Sequence, residues 1–137
     1  MNPIMPTIPP RPTEVSRPYW DACREHRLIM QNCQDCNKLT FFPAYMCPTC
    51  GGDRLQWQEL SGRGRIHSVT RVFHPAAPVF RESTPYVVAL IQVEEGPIMM
   101  SNIVGANAIE AAIDDEVRVE FQEVGEITLP RFRLVRS

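Results

Sequence analysis

Along the chain, the rhythm of apolar and polar positions changes twice. From residue 1 to residue 15 no period is visible, and prolines at positions 3, 6, 9, 10 and 12 remove backbone donors while few apolar groups are available to bury. An unstructured or surface-draped arm is expected there. At Ser16 a three-to-four spacing begins: Tyr19, Trp20, Cys23 and Arg27 recur along SRPYWDACREHRLIM, with Ser16 placed as an N-cap and Pro18 in the first turn. This predicts a short helix with an aromatic stripe. Tyr19 and Trp20 would either pack on their own chain or dock a partner.

From Trp57 onward the period shortens to that of strands bounded by Gly and Pro. Gly62 and Gly64 flank the entry to a strand over about 65–73, where Ile66, Val69 or Val72 would supply core. A proline-punctuated loop, HPAAPVFRESTP, separates it from strands over 86–93 and 98–104, which the turn Glu94-Glu-Gly-Pro97 joins as a hairpin. Residues 107–113 are compatible with a short helix. Residues 116–124 point Val117, Val119 and Phe121 inward, and a last strand over 129–135 carries Phe132 and Leu134. Five strands with a helical piece between the third and fourth is the order of an OB-fold, a small Greek-key barrel. An SH3-like barrel fits the strand count, but the position of the helix favours the OB-fold. The aromatics Phe73, Phe80, Tyr86, Phe121 and Phe132 fall mostly where such a core needs them.

Length and composition narrow the possibilities. At 137 residues, 44% hydrophobic and 22% charged, the chain can build one ordinary domain, or a small metal-stapled module attached to a modest core. No apolar run approaches the roughly 20 residues of a membrane span. The first residues contain no apolar h-region or small-residue cleavage site, so a cytoplasmic address is expected. Net charge is −2, unevenly spread. Residues 54–81 carry Arg54, Arg63, Arg65, Arg71 and Arg81 against Glu59 alone, and residues 82–126 carry ten acids against Arg118 alone. One face could be basic although the whole is not.

The densest chemistry lies in CQDCNKLTFFPAYMCPTC, where Cys33, Cys36, Cys47 and Cys50 form two C-x-x-C pairs. Zinc accepts four thiolates tetrahedrally, and each C-x-x-C turn delivers two from one knuckle. Asn37, Pro48 and Gly51-Gly52 are turn-formers at the places where backbone must bend around sulfur. The spacing reads as a zinc ribbon. A single-iron rubredoxin-like centre uses the same donors and is the lesser alternative, and two disulfides would need an oxidising compartment. Four cysteines leave no open coordination position, so the metal is expected to be structural. Cys23 reads as a buried small hydrophobe rather than a nucleophile. The expected architecture is thus mainly β: an arm over 1–15, a helix and zinc ribbon over 16–60, and a five-stranded OB-fold barrel over 61–137.

Taken together, Tyr19-Trp20, Cys33-x-x-Cys36, Phe42-Pro43, Cys47-Pro48-x-Cys50-Gly51, Trp57, Ser61-Gly62-x-Gly64, Ser68-Val69-Thr70, Pro85-Tyr86-Val87-Val88-Ala89, Glu95-Gly96, Ser101-Asn102-Ile103-Val104-Gly105 and Phe132 follow one another in a distinctive order. In these features the chain resembles the acyl-CoA-associated OB-fold proteins with an N-terminal rubredoxin-like zinc ribbon, the domain-of-unknown-function thirty-five family. The resemblance covers nearly the whole chain after residue 15. It implies a non-catalytic accessory subunit of a thiolase-superfamily or hydratase complex, helping to position the CoA portion of a thioester while a thiolase-like or hydratase-like partner supplies the catalytic groups.

The residues are compatible with that implication. CoA carries a phosphorylated ADP, and guanidinium forks bind phosphate, so Arg63, Arg65 and Arg71 are candidate contacts, with His74 as a further donor. No residue is assigned a catalytic role. Two other readings compete. OB-folds and zinc ribbons both serve as single-stranded nucleic-acid modules, although a pI near 5.9 argues against that use. A free-standing thioester enzyme would need His67 or His74 as a base near Glu82 or Glu95, a convergence no sequence can display.

Overall fold

The computed structural model describes residues 9–75 and 77–135. Most of the arm expected to be unstructured lies outside the described residues. Chain order is α1 (Arg17–Arg24), β1 (Ile29–Cys33), β2 (Leu39–Thr40), β3 (Leu55–Glu59), β4 (Arg63–Val72), β5 (Tyr86–Val93), β6 (Ile98–Val104), β7 (Glu116–Val124) and β8 (Ile127–Leu134). Short 3-10 turns at Pro78–Ser83 and Ala108–Glu110 fill two of the connections.

The helix is shorter than the periodicity predicts. Ser16 sits at the N-cap but does not cap with its side chain; its Oγ instead accepts from the Thr13 N–H at 2.8 Å, closing the turn that leads into α1. At the other end His26 adopts φ 60°, the Arg27 N–H donates to the Ala22 carbonyl and the His26 N–H to the Cys23 carbonyl. That pair of bonds is a Schellman stop, in which His26 occupies the position usually held by Gly. Its ring stacks on Phe121 at 5.3 Å and 15° between planes. Leu28 to Met30, read from the sequence as a continuation of the helix, therefore turn into β1.

β1 lies between β2 and β3, both antiparallel to it, in a three-stranded sheet. The remaining strands close into a barrel in the order β4-β5-β6-β8-β7, with β7 returning to β4. All barrel pairings are antiparallel except β6 with β8. This is OB-fold topology. β5 alternates cleanly, burying Val87, Ala89, Ile91 and Val93. On β4 the register shifts between Ile66 and Ser68, so His67 occupies a β-bulge. The bulge explains why the inward residues Ile66 and Val69 are three apart rather than two.

β8 buries Thr128 through Phe132 without alternation, because α1 packs on it from outside. α1 adds Tyr19 and Cys23 to the barrel core of Ile66, Ile91, Val117 and Phe132, and Leu28 and Met30 join the same cluster. The helix expected over 107–113 is reduced to the turn at Ala108–Glu110. It ends because the Ala112 N–H donates to Asp115 Oδ2 at 3.0 Å and Asp114 takes φ 74°, reversing the chain. Phe73, expected in the core, follows the end of β4 and is 57% exposed.

Candidate functional site

The cysteine cluster is built by two turns facing each other across the small sheet. Cys33 closes β1 and Cys36 lies in the turn to β2, where Asn37 at φ 58° bends the backbone and its N–H donates to the Cys33 carbonyl at 2.7 Å. Cys47 and Cys50 precede β3. There Gly51 takes φ 78°, which an L side chain adopts only with strain, and its N–H donates to the Cys47 carbonyl at 2.8 Å. Backbone N–H groups also point at sulfur, Thr49 to Cys47 Sγ and Gly52 to Cys50 Sγ, both at 3.4 Å.

The four Sγ atoms lie within 4.8 Å of one another, and the Cys33–Cys50 and Cys36–Cys47 separations are both 3.6 Å. A tetrahedral zinc with Zn–S bonds near 2.3 Å places its sulfurs about 3.8 Å apart. The donor set therefore fits one tetrahedral ion and leaves no coordination position open. Hydrogen bonds from the Cys50 and Thr49 amides hold the Cys47 thiol down to about 6, favouring the thiolate a metal requires. Cys23 is the opposite case. It is fully buried, and desolvation pushes its thiol up to about 12, so it is a packing residue.

The four candidate CoA contacts do not converge. Arg63 and Arg65 line one cleft of about 510 Å³, together with Glu94, Glu116 and Arg118. Arg63 Nε donates to Glu94 at 2.9 Å, and Arg65 donates to Glu116 at 3.0 Å and to the Asp114 carbonyl at 3.1 Å. Arg71 lies further along β4 and spends its fork on the carbonyls of Ile109, at 2.7 Å, and Ala111. It pins the turn between β6 and β7 to the barrel. His74 is exposed in the loop after β4 and lines none of these residues' cleft. Of the groups a thioester enzyme would need, His67 and His74 are both exposed, Glu95 accepts from the Ser61 N–H at 2.7 Å, and Glu82 has its side chain outside the described residues.

A second concavity, of about 360 Å³, lies where α1 and the ribbon meet the barrel. Trp20, Phe41, Phe42, Tyr86, Met100 and Arg131 line it. Tyr19 is buried beneath it, edge-on to Trp20 at 4.9 Å and to Phe42 at 5.6 Å. The Arg131 guanidinium donates to Asn102 and Gln122, and burial lowers its pKa. Sequence reasoning flagged Tyr19 and Trp20 but missed that Phe41-Phe42 on the ribbon would meet them. The paired aromatics in each segment were the available signal.

Comparison with known proteins settles the family. Residues 20–56 match the rubredoxin-like zinc ribbon domain of ChsH2, and residues 57–122 match the ChsH2 C-terminal OB-fold domain. A DUF35 domain-containing scaffold protein of Methanothermobacter thermautotrophicus is 33% identical over 83% of this chain and 86% of that protein. The chain belongs to the DUF35 family. The solved structure of an Ltp2-ChsH2(DUF35) aldolase contains a chain similar to this one, with a TM-score of 0.80 and 32% identity over 92% of this chain and 98% of that one. A probable enoyl-CoA hydratase alpha subunit of Thermomonospora curvata is 35% identical over 84% of this chain. This chain spans only 36% of that subunit's length. In every case the likeness extends over both the ribbon and the barrel of this DUF35 protein. Among its described residues no helix is long and apolar enough to cross a membrane.

Proposed function

We propose that this DUF35 chain is a non-catalytic accessory subunit of a complex acting on acyl-CoA thioesters, with a thiolase-like or hydratase-like enzyme as its catalytic partner. The observation that carries this reading is the match, over nearly the whole of both chains, to a chain of an Ltp2-ChsH2(DUF35) aldolase, together with the match to both ChsH2 domains. Relatives named as a scaffold protein and as a hydratase alpha subunit support the same assignment. The exposed, unconnected positions of His67 and His74 are consistent with catalysis by another chain.

In this reading Cys33, Cys36, Cys47 and Cys50 hold one structural zinc ion, iron being the alternative. When bound, the ion supplies a cross-link between the two knuckles and no reactive position. The helix and ribbon, residues 16–60, then brace the barrel of residues 61–137, and the partner docks on both across the aromatic concavity. Arg63 and Arg65 face one cleft and carry the proposed CoA contact; Arg71 and His74 would contribute only from outside it.

The test combines two measurements. Tagged chain is recovered from its native host at moderate salt and its companions identified by mass spectrometry, and purified chain alone is assayed against acyl-CoA thioesters. A thiolase-like or hydratase-like protein in fixed proportion, with no turnover by the chain alone, is expected. Turnover by the isolated chain that His74→Ala abolishes would contradict the reading. Titration with single-stranded oligonucleotide at low salt separates the nucleic-acid alternative, for which binding should then be strongest.

A further inference from the structure

Three arginines stand side by side across three strands of the barrel. Arg63 on β4 lies opposite Arg118 on β7, and Arg118 lies opposite Arg133 on β8. Directly opposed residues of antiparallel strands share a face with Cβ atoms about 5 Å apart, and like charges in that arrangement are destabilising. All three side chains are exposed.

The outer two are neutralised within the fold. Arg63 pairs with Glu94 at 2.9 Å, and Arg133 is held bidentately by Glu120 at 2.8 and 3.0 Å. Arg118 is not. Its own strand offers carboxylates two positions away on either side, but Glu116 is engaged by Arg65 and Glu120 by Arg133. Among the described residues the Arg118 side chain forms no ion pair and no hydrogen bond. The cleft it shares with Arg63 and Arg65 also contains Glu94 and Glu116, so three cations meet two engaged carboxylates and one positive charge remains. Among the described residues the fold thus keeps a cation between two like charges, beside a cleft of about 510 Å³, with no carboxylate left over to offset it.

We propose that Arg118, with Arg63 beside it, binds the phosphate group of a phosphorylated ligand in this cleft. Guanidinium forks on adjacent strands, about 5 Å apart, can each present two donors to the oxygens of one phosphate or of two linked phosphates. The ligand supplies the charge the row lacks. The inference deepens the acyl-CoA reading and rests on it only for the ligand's identity, because the phosphates of CoA and those of a free nucleotide or inorganic pyrophosphate share this chemistry.

The experiment titrates the full, metal-loaded chain with CoA, adenosine 3′,5′-bisphosphate and inorganic pyrophosphate by calorimetry, for the native sequence and for Arg118→Ala, Arg118→Lys and Arg24→Ala, the last an exposed arginine on α1. Binding by CoA and by the bisphosphate is expected, about fivefold weaker in Arg118→Ala, intermediate in Arg118→Lys and unchanged in Arg24→Ala. The melting temperature of Arg118→Ala should stay level or rise, because a like-charge contact is relieved. Equal affinities for the native chain and Arg118→Ala would overturn the proposal, as would a lowered melting temperature in that variant or no binding by any ligand. Binding of pyrophosphate but not CoA, lost in Arg118→Ala, would keep the phosphate site and remove the CoA reading. Undiminished CoA binding by Arg118→Ala would do the reverse.

Discussion

In the barrel, β5 buries every second residue from Val87 to Val93, while in the ribbon β2 is two residues long and buries neither. The contrast continues outside the strands. Ribbon residues Tyr45 and Met46 are 68% and 61% exposed; Leu28 and Met30, on the edge facing the barrel, are buried in its core, while Leu39, Phe41 and Trp57 pack against that core only partly buried. A segment with so little apolar burial cannot offset the entropy of ordering its turns. A metal cross-link can, because binding free energy at a site absent from the unfolded chain is folding free energy. The barrel needs no such device. Its strands close on themselves around Ile66, Ile91, Val117 and Phe132, all essentially inaccessible to solvent.

That contrast can be broken from either side. Stripping the metal, or replacing Cys36 with Ala, should have the largest effect: a structural thiolate site is worth about 10 kcal/mol or more, and residues 34–54 should lose their order while barrel amides stay protected. Near-ultraviolet circular dichroism of Trp57 and hydrogen exchange both report it. Phe132→Ala strikes the other region. It should cost about 3–5 kcal/mol in denaturant unfolding, since the fully buried ring leaves a cavity the closed barrel cannot collapse around.

Smaller changes sharpen the comparison within the barrel. Arg71→Ala removes two hydrogen bonds to the turn before β7 and should cost about 1–2 kcal/mol. Arg63→Ala, which breaks only an exposed ion pair, should cost less still in the same measurement. The smallest effect concerns pH. Hydrogen bonds from Arg63 and Ser61 hold the Glu94 carboxyl below its ordinary value. A group whose pKa is lowered by folding stabilises the native state above the unfolded value, and that contribution is lost as pH falls through the folded one. Glu94→Gln should therefore lower stability slightly near neutrality and flatten the acid limb of a stability-versus-pH curve, the two proteins converging at low pH.

Local signals in the sequence carried much of this. The C-x-x-C pairs located the thiol cluster, the Glu94–Pro97 turn located the β5–β6 hairpin, and alternation at Val117 and Phe132 located inward positions. What stayed hidden depended on through-space partners. The helix stop at His26 carries no glycine and is accompanied by stacking on Phe121, about a hundred residues away. The β1 strand was masked because Leu28 to Met30 continue a helical spacing until that stop. The spacing of Ile66 and Val69 on β4 reflects a bulge at His67 that the sequence does not announce. Arginines read from composition as one basic face proved to have separate fates. Arg71 is used by the fold, Arg63 and Arg65 are paired beside a cleft, and Arg118, singled out only as an isolated cation, completes the row.

A metal holds the ribbon in this account, while apolar packing holds the barrel. Hydrogen–deuterium exchange of the full chain, before and after removal of the metal by a strong chelator, tests it most directly, with metal content measured on the same samples. The account predicts about one metal ion per chain, and on its removal fast exchange across residues 34–54 with β4 to β8 still protected. Uniform protection after complete metal loss, or collapse of barrel and ribbon together, would contradict it.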